Sequence, residues 1–272
     1  GGFPAPYDDS VKPFPVLEQD GLVWVWPGDP AKIGEVQAPR TPEIAGEDWE
    51  THMFEPRQVP ANYMLLIENL MDITHFYPLH EGNIGDIEQS KIPIELVEET
   101  LWGTPTVKTI RRVQGYKQPP FMFDWWGVPV VDRWHTHHMV APGLTRVELR
   151  CAPPGQLGQA DKEFGYVIHH SHTPVDPTSH VWRLWVSTRR GSRSGSDPSK
   201  STTQHIAATF PAVMDEDLWA LERQQRMFEY PDDDYTEVFL RSDQALLRAR
   251  KILAELEKGN RSKVAAPARQ AA

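Results

Sequence analysis

Glu68-Asn69-Leu70-Met71-Asp72-Ile73-Thr74-His75-Phe76-Tyr77-Pro78-Leu79-His80 sets Glu68, Asn69, Asp72, His75 and His80, all able to ligate or hydrogen-bond, among apolar residues. Leu66, Leu70 and Ile73 recur at helical spacing, which predicts a helix over 61–80. On that helix Asn69, Asp72 and His75 can point from one face. His80 is in poor registry with His75 for a straight helix. Pro78 lacks a backbone donor and crowds the preceding turn, so the helix is expected to kink or end there and bend His80 back toward His75. Two neutral imidazoles and one carboxylate form the facial set that holds non-haem Fe(II) with positions left open. The third ligand must come from elsewhere. Asp217, in Met214-Asp215-Glu216-Asp217-Leu218-Trp219, is the leading candidate, with Asp215 and Glu216 as rivals on local grounds. The plainer alternative is a helix terminus with solvated polar side chains.

Outward from this stretch the chain punctuates itself. Val11 to Val16 and Gly21 to Trp26 read as two strands joined by a turn at Glu18 to Gly21, where Asp20-Gly21 is a hairpin signal, and Pro27 to Pro30 stops the second. Residues 31–60 read as a linker with a strand near Trp49–Phe54. Between about 88 and 190, β-prone runs alternate with turn residues: Pro105–Arg112, Val128–His138, Thr145–Cys151, Phe164–His172 and His180–Ser187. Such spacing predicts an antiparallel sheet. Arg189 to Ser201 is rich in Ser, Gly and Arg and reads as a mobile loop. Residues 203–228 read as a long helix kinked at Pro211, and Ser242 to Lys258 as an amphipathic helix ended by Gly259. The tail, 261–272, is expected to be disordered. The fold class is therefore α+β.

Composition narrows the function. Of 272 residues, 39% are hydrophobic and 24% charged, a globular balance. A formal net charge of −10 argues against nucleic acid, whose phosphates want a basic face. No apolar run reaches the length of a membrane span. The single cysteine, Cys151, allows neither an internal disulfide nor an iron–sulfur cluster from this chain alone, and fits a cytoplasmic setting. Cys151 has no base beside it and reads as a small buried residue. The opening Gly1-Gly2-Phe3-Pro4 carries no initiator Met, so the chain is expected to begin inside a longer protein.

Other clusters compete with the first. His135 and His137 share one face of a predicted strand and, with Glu148 and His169, could form a cupin-like metal set. Alternate members of His169-His170-Ser171-His172 also share a face, with a plain sheet role as the default. Phe121, Phe123, Trp125 and Trp126 could wall an apolar pocket or be core. Arg111 and Arg112 could meet a substrate carboxylate. No Gly-rich phosphate loop is present.

Asp72, two residues, His75, four residues, His80 resembles the mononuclear iron motif of Rieske non-haem iron oxygenases. Glu216-Asp217-Leu218-Trp219-Ala220-Leu221-Glu222 is similar to the segment carrying that family's third ligand, where the Asp precedes a Glu by five positions; the resemblance thereby selects Asp217. Val11 to Asp29 resembles the last hairpin of the family's Rieske domain. Ser242 to Arg250 resembles the closing helix of the vanillate O-demethylase, phthalate dioxygenase and dicamba demethylase branch.

The resemblance implies a helix-grip catalytic domain over 36–260, with 1–35 the end of a Rieske domain. It implies Fe(II) on His75, His80 and Asp217, with Asn69 close to the iron. Asp72 would bridge an iron-binding His to a Rieske His of the neighbouring subunit in a homotrimer, or orient a ligand imidazole. It implies a [2Fe-2S] Rieske cluster outside this chain, an NAD(P)H-dependent reductase, O2, and a small aromatic acid or aryl ether that is hydroxylated or O-demethylated. The alternative from another class is a helix-grip carrier that binds an apolar ligand without metal.

Overall fold

The computed structural model describes residues 13–26, 30–33, 37–141, 143–230 and 235–258. The expected strand start at Val11, the stop at 27–29, the cap at Gly259 and the tail 261–272 lie outside them.

An antiparallel hairpin opens the described chain: β1, Val16–Gln19, pairs with β2, Leu22–Val25. Asp20 and Gly21 both have positive φ, 53° and 80°, as a two-residue primed turn requires. The strand expected over Val11–Val16 thus lies later, because the turn is two residues and not four. The hairpin is anchored through Asp20, which takes the Arg40 guanidinium and the Thr41 N–H, and through Trp24, which packs on Val140 and Leu144.

The linker region holds short elements: α1, Pro42–Ala45; β3, Trp49–Met53; and β4, Arg57–Val59. Next come α2, Tyr63–Met71; α3, Phe76–His80; and α4, Ile87–Ser90. The strands β5, Glu95–Leu101, and β6, Thr104–Lys117, precede α5, Pro120–Trp126. They are followed by β7, Val130–Ala141; β8, Leu144–Ala152; β9, Phe164–Asp176; and β10, Ser179–Arg189. The chain continues with α6, Thr202–Thr209; α7, Pro211–Glu229; and α8, Gln244–Glu257.

One antiparallel sheet runs β3-β10-β9-β8-β7-β6-β5, with β4 also on β10. Its register sorts the side chains into two faces. Thr109, His137, Val147, Ile168 and Val186 stand opposite one another across five strands. This face is gripped by helices. Leu66 and Leu70 of α2 join its core, while Ile67 and Met71 on the other side of α2 pack against Ala249, Ile252 and Leu253 of α8. Each of these Leu, Ile and Met side chains contributes about 1.5–3 kcal/mol by its burial. The architecture is the expected α+β helix grip.

Two further expectations change. The helix over 61–80 is two helices, broken at Asp72–His75 and not at Pro78. The Asp72 carboxylate accepts the Thr74 N–H at 2.8 Å and its hydroxyl, competing with the helical bonds. Pro78 then lies in the first turn of α3, where its missing donor costs nothing. The segment 189–201 is not a free loop: Gly195 and Ser196 donate backbone hydrogen bonds to Trp125 and Asp124 of α5. A Cβ on Gly195 would lie 2.0 Å from the Gly127 nitrogen, so only glycine permits this docking. The break at Pro211 occurs as expected, with Phe210 between α6 and α7.

Candidate metal centre

The break in α2–α3 puts His75 at one end of α3 and His80 at the other, and α7 brings Asp217 to both. The His75 and His80 Nε2 atoms are 3.2 Å apart. Asp217 Oδ1 lies 3.2 Å from the His80 Nε2 and 3.8 Å from that of His75. Ligands about 2.1 Å from a common ion and at right angles to each other stand about 3.0 Å apart, so these spacings suit a shared cation.

The protonation pattern says the same. His75 Nδ1 faces the Asp72 carbonyl, an acceptor, so it carries the proton. His80 Nδ1 lies 2.7 Å from Glu216 Oε2 and also carries the proton. With Nδ1 so occupied, each ring in its neutral form presents its lone pair on Nε2. In that form two lone pairs and a carboxylate oxygen converge, a set that a proton shared with Asp217 or a metal ion completes. Burial pushes the pKa of His75 down, with the Asp217 charge acting against it. At His80 burial also opposes charge, but the hydrogen bonds and charges of Asp217 and Glu216 outweigh it and raise the pKa. Among the described residues these three are the His, Cys, Asp or Glu group close enough to hold a metal.

Asn69 is drawn in as well: its amide donates to Asp217 Oδ1 at 3.0 Å. Asp72 reaches the His75 ring through its backbone carbonyl, while its carboxylate serves Thr74. Among the described residues no bond joins the Asp72 carboxylate to an imidazole, because the His75 Nδ1–H is taken by the Asp72 backbone carbonyl. The rivals of Asp217 lie elsewhere. Asp215 pairs with Arg57, and Glu216 stands at the far edge of the His80 ring.

A partly enclosed space of about 30 Å³ opens beside the three residues, walled by His135, His137, Tyr166, His170, Trp182 and Phe210. His135 and His137 do not form a second metal set. His137 donates from Nδ1 to the Leu70 carbonyl at 2.6 Å, and the two Nε2 atoms are 3.2 Å apart. Arg133 donates to His135 Nδ1, so that ring donates from Nε2 to His137 and the pair is satisfied. Burial pushes both pKa values down, that of His137 to about 3. Glu148 and His169 lie on the opposite sheet face, bonded to Arg146 and Glu43. The cupin-like set is thus divided by the pleat.

The aromatics of α5 do not wall this cavity. Trp125 is core, packed on Tyr166 and Phe210, and Phe123 is exposed. Arg111 is buried and donates to the Ile73 carbonyl at 3.0 Å, supporting the helix break. Burial and the Arg133 charge push its pKa down to about 10. Arg112 pairs with Glu95 at the surface.

Sequence reasoning missed the roles of Glu216 and His170. His170 accepts the Trp182 indole N–H on Nδ1 at 3.1 Å, so its own proton sits on Nε2, which is buried without a partner and borders the cavity. Its position in a His-rich strand held no hint of this, since the tautomer depends on a residue of the neighbouring strand.

A family model described as the vanillate O-demethylase oxygenase C-terminal domain matches residues 59–259. A vanillate O-demethylase oxygenase subunit of Pseudomonas sp. (strain HR199 / DSM 7063) is 30% identical over 250 residues, 85% of this chain and 64% of that protein. The chain therefore spans somewhat less than two thirds of that relative. Dicamba monooxygenase bound to 3,6-dichlorosalicylic acid superposes with a TM-score of 0.73 at 23% identity, covering 92% of this chain and 71% of that one. A structure of dicamba monooxygenase with non-heme iron and dicamba gives a TM-score of 0.66 at 22% identity, covering 90% and 68%. At these identities the likeness is one of fold.

Proposed function

The chain belongs to the vanillate O-demethylase oxygenase C-terminal domain family, and from that premise we propose that it is the catalytic part of a Rieske-type oxygenase in which His75, His80 and Asp217 hold a mononuclear non-haem Fe(II). The observation that carries this reading is the meeting of two imidazole Nε2 atoms and one carboxylate oxygen beside a partly enclosed cavity. Two imidazoles and a carboxylate are the donor set of non-haem Fe(II) oxygenases, and an ion so held keeps positions free to bind and activate O2. The iron and dicamba carried by a structurally similar protein support the assignment.

The side chains divide the remaining tasks. The Asp72 carbonyl and Glu216 hold the imidazoles by their Nδ1–H groups, and Asn69 steadies Asp217. Phe76, Ile168, Phe210 and Val213 exclude water from the cavity. Burial keeps His135, His137 and His170 neutral, and the first two are satisfied by each other, Arg133 and the Leu70 carbonyl. His170 Nε2–H is the donor available to a substrate oxygen. The relatives' names favour a small aromatic acid or aryl ether, hydroxylated or O-demethylated. Electrons come from an NAD(P)H-dependent reductase through a [2Fe-2S] Rieske cluster outside these residues, with β1–β2 as the end of the cluster's domain. In this reading Asp72, half-buried at the helix break, faces that cluster across the subunit boundary of a homotrimer. No described helix is long and apolar enough to cross a membrane, and the proposed setting is the cytoplasm.

The test is the iron content of the purified full-length protein, with and without His75→Ala. Stoichiometric iron that is lost in the variant is the expected result. Iron-free protein that still binds an aromatic ligand would overturn the reading in favour of a carrier.

A further inference from the structure

Three groups hold the three proposed ligands in place, and they are chemically unequal. A backbone carbonyl, that of Asp72, holds His75; a neutral amide, that of Asn69, holds Asp217; a carboxylate, that of Glu216, holds His80. Glu216 is itself clamped. Its second oxygen accepts the Asn83 amide at 2.6 Å. Asn83 and Gly85 also donate their backbone N–H groups to the His80 carbonyl, at 3.0 and 3.1 Å. The turn after α3 therefore grips His80 twice, once by its main chain and once through Glu216 by its ring.

We propose that Glu216 is a positioning residue, clamped by Asn83, that fixes the tautomer and direction of His80 and sets how tightly the centre holds a divalent metal. The inference rests on the metal-centre reading above. Several observations favour this role over a solvated surface carboxylate or a direct ligand. Glu216 is only about a third exposed and is bonded to an imidazole that is 1% exposed. It occupies the ring nitrogen that faces away from Asp217, so the adjacent carboxylates of α7 take opposite edges of one imidazole. An anionic acceptor on Nδ1–H raises the electron density offered by Nε2, which a neutral carbonyl does more weakly. His80 is thus the stronger of the two imidazole donors, and that strength depends on Glu216.

The test is Co(II) titration of the metal-free full-length protein, followed by its visible absorption, for wild type, Glu216→Ala, Glu216→Gln and His75→Ala. Expected is about a 10- to 100-fold weaker Co(II) affinity in Glu216→Ala with an altered spectrum, in the range typical for such supporting partners. Glu216→Gln keeps the shape and one acceptor oxygen and is expected to fall between that variant and wild type. The metal-free proteins are expected to melt together. Wild-type affinity and spectrum in Glu216→Ala would overturn the proposal, and Glu216→Gln decides the matter in the same way if the alanine variant does not fold. A wild type that binds Co(II) no better than His75→Ala would overturn the metal centre itself, and the inference with it.

Discussion

Trp182 fixes the tautomer of His170: the indole N–H on Nδ1, at 3.1 Å, leaves the imidazole proton on Nε2 at the cavity wall. A buried donor without a partner costs about 1–3 kcal/mol, and a substrate oxygen that accepts from it recovers part of that. His170→Phe is therefore expected to weaken substrate binding about 3- to 10-fold, the worth of one neutral hydrogen bond, while leaving metal content intact. Equilibrium binding of the substrate to metal-loaded protein checks it. Undiminished affinity would remove His170 from the binding surface.

Acid should destabilise this protein early. Burial holds His137 and His172 down at about 3 and His138 at about 4. Each folded value lies below the usual value of about 6.5, so the unfolded chain binds more protons. Their contribution is complete above about pH 6.5 and is lost as pH falls through 6.5 toward the folded values, on the order of a few kcal/mol per group at pH 4. Glu43 acts in the same direction lower down. Burial works against its carboxylate, but the His169 hydrogen bond and the Arg146 charge outweigh it and hold it at about 2. Its contribution is present above about pH 4.5 and lost as pH falls toward 2. Urea unfolding across pH 4–8 should show this slope, and His172→Gln should reduce the proton uptake on unfolding by about one.

Gly85 has no room for a side chain. A Cβ there would stand 1.8 Å from the Phe76 carbonyl oxygen, so either α3 or the turn carrying Asn83 must move. Gly85→Ala is expected to cost about 1–3 kcal/mol or more, in the range of overpacked interiors. Because both neighbours flank His80, Co(II) affinity should fall with it. Urea unfolding and metal titration of the same variant test the two effects together.

Cys151 should be chemically silent. It is fully buried on β8, and burial pushes its thiol up to about 12. Since the thiolate is the reactive form, labelling by a maleimide at pH 7.5 is expected only under denaturing conditions. Rapid labelling of the folded protein would contradict the packing of β8.

The parts of this fold legible in the sequence are those in which one residue type forces one geometry. Asp20-Gly21 marked the hairpin and Pro211 the break between α6 and α7. The β-prone run Thr145–Cys151 marked β8. The spacing of His75 and His80 pointed to a site, although the cause of their convergence was placed at Pro78 when it lies in the Asp72–Thr74 turn. That competition between side chain and helix leaves no periodic trace. The strand β5 was obscured by the acidic residues it carries at the sheet edge, and the pinning of 189–201 depends on Gly195 meeting Gly127, far apart in sequence. Glu216 looked like a rival ligand because its partner, the Nδ1 of His80, belongs to another helix.

The interruption between α2 and α3 also bears on assembly of the molecule. His75 caps and His80 ends a helix of five residues, too short to persist by itself. An ion gripped between that helix and α7 would act as a cross-brace joining two distant stretches of chain, so loading the site should slow amide exchange along 72–86 and shield it from proteases.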